Sequence, residues 1–338
     1  MIRTSDILKG SAAAAGMALL ILDAKTALTG AQNGIELCIR TVIPSLFPFF
    51  LLSILLTGTL MGAGRRLLDP LCNIFRIPTG AGTLLLSGIL GGYPVGAQCV
   101  GQAFERGSLS HRDARRMLAF CSNCGPAFLF GMIGAVFDEW WIPWALWAVH
   151  LISAWITSCV VPSDGIGTVF LRTNDAMTVQ QALNKALKVM ASVCGWVVLF
   201  RLVIQFWQRW FLWLLPEELE IAICGILELS NGCVELSRIE NTGLRFILCA
   251  GFLGFGGLCV TMQTYSVITP ELDRRMYFPG KLLQCCISLI AAGCLQWILH
   301  SRYPCLNMLW VPLLIGVLCA VILRKMQNNS SIPAAVGV

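Results

Sequence analysis

The sequence predicts an all-α polytopic membrane protein, an inverted-topology repeat with two re-entrant helical hairpins and broken transmembrane helices. Three observations carry that prediction: an apolar composition that no water-facing surface tolerates, glycine- and proline-punctuated breaks at matching places in two halves, and an uneven placement of basic residues. Hydrophobic residues make up 57% of the chain and charged residues 12%, where a soluble domain carries roughly 25% charged residues. Apolar runs recur along all 338 residues, and several exceed the roughly 18–20 residues that span a hydrocarbon core about 30 Å thick. The net charge of +6 sits in short basic runs between apolar segments, where the positive-inside rule accounts for it. No nucleic-acid partner is expected.

Many of the 16 cysteines fall inside apolar segments, among them Cys249, Cys259, Cys285, Cys286 and Cys319. They read as small, weakly polar packing residues in a reducing or anaerobic setting. One CxxC occurs, Cys121 and Cys124, but the 3 histidines, His111, His150 and His300, are far apart in sequence. Zinc needs four converging ligands, so neither a metal nor a cofactor is expected. The first apolar run, preceded by Arg3 and Lys9, lacks a cleavage site and reads as a helix rather than a leader.

Taken in order, residues 1–30 form an N-terminal transmembrane helix, apolar from Ser11 to Leu28. The first repeat covers 31–161. It opens with an amphipathic stretch from Ala31 that turns, near Pro44 and Pro48, into a span reaching Gly62. Thr79 to Gly107 is interrupted by Gly91, Gly92 and Pro94. Each arm of about 10–13 residues is only ~16–20 Å long at 1.5 Å per residue, so it reads as a re-entrant hairpin with its tip at Gly91 to Val95. Met117 to Phe137 crosses as a broken helix, because CSNCGPAF lies at its centre and the residue before proline resists the α conformation. Trp140 to Val161 returns, its start marked by Trp140, Trp141, Trp144 and Trp147 as an aromatic belt.

Residues 162–181 read as a cytoplasmic linker, and 182–325 as the second repeat with two closing spans. Ala182 to Leu215 is a long helix that begins amphipathic and becomes apolar. In Leu219 to Glu240, Gly225, Ile226 and Leu227 match Gly88, Ile89 and Leu90, and Glu228 to Gly232 take the place of the first tip. Leu244 to Ile268 carries GFLGFGG where the first half has CSNCGPAF. Leu282 to Leu299 and Met308 to Leu323 close the chain, and the tail 326–338 is expected to be disordered.

Charge placement tests this map. With a cytoplasmic N-terminus and two re-entrant hairpins, most of the 24 Lys+Arg fall on the cytoplasmic side, including Arg65, Arg66, Arg76, Arg106, Arg112, Arg115, Arg116, Arg274, Arg275 and Lys281. The other side receives Lys25, Arg209, Arg238, Arg245 and Arg302, together with Glu217, Glu218 and Glu220. The first hairpin then enters from the cytoplasm and the second from outside, the inverted arrangement of many secondary transporters. The expected location is the inner membrane, multi-pass, with both termini cytoplasmic.

Broken helices expose backbone groups that lipid cannot satisfy, so they persist beside protein, a cavity or a solute. The candidate solute-binding residues are Gly91, Gly92, Tyr93, Ser122, Asn123 and Gly125 from the first half and Glu228, Ser230, Asn231, Gly232, Thr261 and Gln263 from the second. Half-helix N-termini there can hold an anionic or polar solute; alternatively, the glycines only allow close helix packing. Glu228 is the sharpest candidate, since an intramembrane carboxylate is costly; it would bind a solute hydroxyl, a coupling cation or a proton, unless its tip is shallow enough for water. Arg201 would pair with Glu228 or a solute carboxylate, or snorkel. No nucleophile with an adjacent base, phosphate-binding loop or paired carboxylates on one helix occurs, so no enzyme is expected.

VIPSLFPFF (Val42 to Phe50), SGILGGYPVGA (Ser87 to Ala97), FCSNCGPAFLFG (Phe120 to Gly131) and GILELSNG (Gly225 to Gly232) resemble the YlbJ-type sporulation integral membrane proteins of the nucleoside-recognition, or Gate, domain group. The resemblance runs from about Ala31 to Ile268. It implies a fold resembling concentrative nucleoside transporters and a role in endospore formation, with a forespore membrane as a location and movement of dipicolinate, a small aromatic dicarboxylate, as the activity. CSNCGP departs from the expected CNNPGP, which bears on the pocket. The expectation is a transporter or facilitator for a small polar or anionic solute such as dipicolinate. The alternatives are a nucleoside-type carrier, which would depend on carboxylate and amide side chains at the tips, and a non-transporting scaffold or assembly factor. The expected partners are that solute and the lipid bilayer, and a homo-oligomer is left open.

Overall fold

The computed structural model describes residues 4–63, 65–163, 169, 178–300, 316, 317 and 319–325. The expected linker and the Met308 to Leu323 span lie largely outside these, and the 326–338 tail wholly so. Among the described residues the secondary-structure elements are all helices: α1 (Thr4–Leu22), α2 (Ala24–Leu37), α3 (Ile43–Ala63), α4 (Asp69–Phe75), α5 (Gly82–Gly91), α6 (Val95–Glu105), α7 (His111–Leu118) and α8 (Pro126–Gly131), then α9 (Ile142–Val160), α10 (Val179–Trp210), α11 (Glu217–Leu227), α12 (Leu229–Glu235), α13 (Thr242–Phe255), α14 (Gly257–Val267) and α15 (Tyr277–His300). Five runs among the described residues are long and apolar enough to cross a membrane: Ala24–Leu56, Ile142–Val160, Val179–Trp210, Thr242–Val267 and Tyr277–Ile298.

The first of these differs from the sequence reading. The amphipathic stretch does not turn into the span; α2 continues through one π-helical turn, Cys38–Val42, into α3. Pro44 cannot donate the helical hydrogen bond at that point, and the wider π turn just before it absorbs the loss. Asp23 parts α1 from α2, and its carboxylate caps α2 by accepting from the Thr26 backbone N–H at 3.3 Å. Gly30 and Gly34 then bring α2 against α10. A Cβ on Gly34 would lie 2.9 Å from Val198 Cα, and one on Gly30 3.0 Å from Leu202 Cα, so the two backbones touch as small-xxx-small pairs allow.

The breaks fall where glycine and proline predict them. Gly92 has φ 71° and ends α5, and α6 starts after a cis Tyr93–Pro94 peptide. α5 and α6 meet at two glycines, where a Cβ on Gly96 would lie 2.7 Å from Gly88 Cα. α11 and α12 repeat this: Glu228, in an extended conformation, parts them, and a Cβ on Gly232 would lie 2.1 Å from Gly225 Cα. The glycines matched in sequence, Gly88 and Gly225, are thus matched in contact. The second break of each half also recurs. A Cβ on Gly125, at the CSNCGP break, would lie 3.0 Å from Leu90 O, and one on Gly257, beside Gly256 and like it at positive φ, 3.2 Å from Leu229 N. In both halves a glycine of the broken helix rests on the tip of the preceding helix pair.

Most buried of the spans is Thr242–Val267, 67% of whose most apolar stretch is inside the protein against 22% for Ala24–Leu56. α13 is therefore central, packed on α15 and α9, and α2–α3 is peripheral. Arg116, assigned to a loop by charge placement, is instead buried. It donates to the carbonyls of Ser158 (2.7 Å), Val161 (3.3 Å) and Arg76 (2.8 Å), so it satisfies the C-terminal end of α9. At the other end, before the start of α9, Arg245 donates to the carbonyls of Val136 and Ile239, both at 3.0 Å or less.

Arg115, on the same helix as Arg116, reaches Asp273 in the loop between α14 and α15 at 3.1 Å. Burial raises the Asp273 carboxyl, but Arg275 and Arg115 outweigh it and hold the group below its ordinary value. A lowered folded-state pKa adds stability that is complete above the unfolded value of about 3.9 and is lost as pH falls below it. Thermal melts in detergent from pH 6 to pH 3 should therefore show an acid-side loss that shrinks in Asp273→Asn. An identical acid limb in the variant would rule this latch out.

Candidate functional site

Broken helices leave carbonyls and N–H groups without intrahelical partners, and inside a membrane protein these must be met by side chains. At the Cys121 to Gly125 break, Lys281 Nζ donates to Ser122 O at 2.7 Å, Asn123 Nδ2 donates to Phe120 O at 2.9 Å, and the Cys124 N–H donates to His150 Nε2 at 3.0 Å. Gln284 joins the same network, accepting from Lys281 at 2.6 Å and donating to Asn123 Oδ1 at 3.1 Å. Ser288 links α15 to α9 through Ser153 at 2.8 Å. At the other broken helix, the Leu253 carbonyl, four residues before Gly257, accepts from the Tyr93 hydroxyl at 3.0 Å. Tyr93 therefore ties the first tip to the second break.

The second tip is built around Glu228. One carboxylate oxygen accepts from the Ser230 N–H at 2.9 Å; the other accepts from the Asn231 N–H at 2.7 Å and from Asn231 Nδ2 at 2.6 Å. The side chain caps α12 and sets its negative charge against the positive end of that helix. It is 1% exposed and still lines a narrow cleft with about 40 Å³ of free space. The cleft's walls are the first tip (Leu90 to Tyr93), the first break (Cys124 and Gly125), the second tip (Glu228 to Ser230) and α14 (Val260 and Gln263). Leu46 and Phe50 of α3 and Val193 and Val197 of α10 close it with apolar surface.

Of the sequence candidates, Gly91, Gly92, Tyr93, Gly125, Glu228, Ser230 and Gln263 come together on the cleft. The others do not line it. Ser122 and Asn123 face Lys281 and Gln284, and Asn231 is spent on Glu228. Gly232 is pressed on Gly225, and the Thr261 hydroxyl bonds the Gly257 carbonyl one turn back. Arg201 does not reach Glu228; its nearest carboxylate is Glu235, at 3.9 Å.

The largest correction is Lys281. Charge counting assigned it to a cytoplasmic loop, yet it lies in the second turn of α15 with no exposed surface. Its ammonium sits 4.9 Å over the Tyr93 ring, on the side chain that lines the cleft. No carboxylate among the described residues lies within ion-pair distance of it. A signal for this network was present in the spacing. Lys281, Gln284 and Ser288 stand at i, i+3 and i+7, as do His150, Ser153 and Thr157, which puts each set on one helix face.

Over 316 residues, 79% of this chain and 77% of the other, the sequence is 25% identical to the sporulation integral membrane protein YlbJ of Bacillus subtilis (strain 168). The chain is similar to this membrane protein over most of its length. The likeness read from the four motifs is borne out by it. No family model and no solved structure matches the chain.

Proposed function

We propose that the chain is a membrane carrier or facilitator for a small polar solute seated in the cleft between the two tips, as a Gate-type inverted repeat with re-entrant hairpins. The observation that carries the reading is the buried Glu228 carboxylate on the wall of a cleft where both helix pairs and the first break meet. A charge is kept at such depth when it has work to do. The inverted arrangement is supported by the ends of α9. Arg116 ties Arg76, just before α5, to the C-terminal end of α9, whereas Arg245 ties Ile239, just after α12, to Val136 before its start. The two helix pairs thus approach the cleft from opposite ends. YlbJ is named for sporulation, and we place this chain in the same process, in a spore-former's membrane.

For the solute, the lining favours the nucleoside-type alternative. Glu228, Ser230 and Gln263 form a carboxylate, hydroxyl and amide set opposite apolar Phe50, Val193 and Val197, which suits an aromatic body bearing hydroxyl or amine donors. A dicarboxylate such as dipicolinate would meet the Glu228 charge, and the α12 N-terminus is already capped by that side chain. Reconstituted vesicles should therefore carry nucleosides. Loss of a charge-assisted hydrogen bond, about 1.5–3 kcal/mol, lowers that flux about 10- to 100-fold in Glu228→Gln. Dipicolinate flux unaffected by Glu228→Gln would overturn the choice of solute, and no flux of either with normal insertion would overturn the carrier.

A further inference from the structure

α2 and α10 touch at Gly30 and Gly34, where the backbones come within contact distance. Toward the start of α2 they part, and the opening is a groove at the end of both helices. Its lining includes Lys25, Thr26, Gln205, Gln208, Arg209 and Trp213, and no lining side chain is a carboxylate. Gln208 donates to Glu220 at 2.9 Å, whose charge is met by Arg238 at 3.5 Å, and Thr26 and Arg209 are engaged with Asp23, so the donors turned to the groove are those of Lys25, Gln205 and Trp213. Gln205 Oε1 already accepts from Asn33 at 3.3 Å, which turns its amide nitrogen into the free end.

The charge balance of the groove is positive. Arg209 is matched by Asp23 at 2.8 Å. Lys25 has no ion pair among the described residues, so one positive charge stands uncompensated. The surroundings say which anion fits. Leu22 (84% exposed), Trp213 (67%) and Leu214 (64%) flank the groove, beside Trp210 and Phe211, a set of large apolar and aromatic side chains that belongs at the boundary between acyl chains and headgroups. A free anion in water gains nothing from that apolar rim, whereas a phospholipid lays its chains on it.

We propose that this groove seats the phosphate headgroup of an anionic phospholipid. The phosphate lies against Lys25, the Gln205 amide and the Trp213 indole N–H, with the acyl chains along the exposed apolar faces of α1 and α10. The glycine contact at Gly30 and Gly34 makes the site, because it fixes the point from which the helices diverge. The bound lipid then bridges α2 and α10, of which α10 also walls the cleft, and it does so whether or not the cleft carries a solute.

The test uses the purified full chain in detergent with added phosphatidylglycerol, phosphatidylcholine of the same acyl chains, or inorganic phosphate. Lipid retention is read by mass spectrometry of the intact complex, and stability by thermal melting. Phosphatidylglycerol is expected to be retained and to raise the melting temperature by a few degrees, with phosphatidylcholine and inorganic phosphate inert. Lys25→Gln, which leaves the Asp23–Arg209 pair in place, should abolish the difference between the two lipids, and Lys25→Arg should keep it. Equal effects of the two lipids, equal stabilisation by inorganic phosphate, or undiminished phosphatidylglycerol retention by Lys25→Gln would each overturn the proposal.

Discussion

Lys281→Met is expected to melt a few degrees below the wild type while losing about tenfold or more of its solute flux. Carrying an ammonium into a protein interior costs several kcal/mol. Its two hydrogen bonds, to Ser122 O and Gln284 Oε1, return about 1.5–3 kcal/mol each, and a desolvated ammonium over an aromatic face about 2 more. These terms nearly cancel, but methionine leaves the Ser122 carbonyl and Gln284 Oε1 buried without their donor, at about 1–3 kcal/mol each. What methionine removes is the anchor behind the Cys121 to Gly125 break and the charge beneath Tyr93, both of which shape the cleft wall. Melting in detergent and flux in vesicles, measured on the same preparation, separate the two effects. A melting temperature many degrees lower would make Lys281 a structural residue alone, and unchanged flux would detach its network from the cleft.

Gly232→Ala is expected to cost about 3 kcal/mol or more, because the added Cβ would lie 2.1 Å from Gly225 Cα. The obstacle is backbone at the crossing of α11 and α12, which no side-chain rotation relieves. Gly195→Ala is the contrast. A Cβ there meets nothing within 4 Å, and replacing a glycine inside a helix gains up to about 1 kcal/mol. Melting of both variants in detergent checks the pair. A Gly232→Ala protein as stable as the wild type would mean that α11 and α12 are not held at this crossing.

The breaks were legible because glycine and proline mark them directly: Gly91, Gly92 and Pro94 interrupt an apolar run, and Gly125–Pro126 and Gly256–Gly257 interrupt two more. The glycine contact shared by the two helix pairs was legible for the same reason, since Gly88 and Gly225 occupy matching places in matching motifs. Partnerships were not legible. Ser122 and Lys281 are separated by 159 positions, and nothing in either neighbourhood names the other. Charge counting treated Lys281, Arg115 and Arg116 as loop residues because that rule weighs position along the chain, whereas these side chains are buried by helices arriving from elsewhere. The polar stripes at i, i+3 and i+7 on α9 and α15 held part of the answer. They identify a buried polar face but not its occupant.

The sequence by itself determined that this protein is helical and membrane-embedded, where its helices break, and that a carboxylate stands at the second break. Those properties follow from apolar run length, from the φ that glycine permits and from the donor that proline lacks, all of which are local. Tertiary structure alone decided that Glu228 caps its own helix while facing the cleft, that Asn231 and Ser122 turn away from it, and that Lys281 supplies the first break with a cation. Each of those depends on which unsatisfied backbone group meets which side chain once distant helices pack, and burial without water makes every such pairing obligatory.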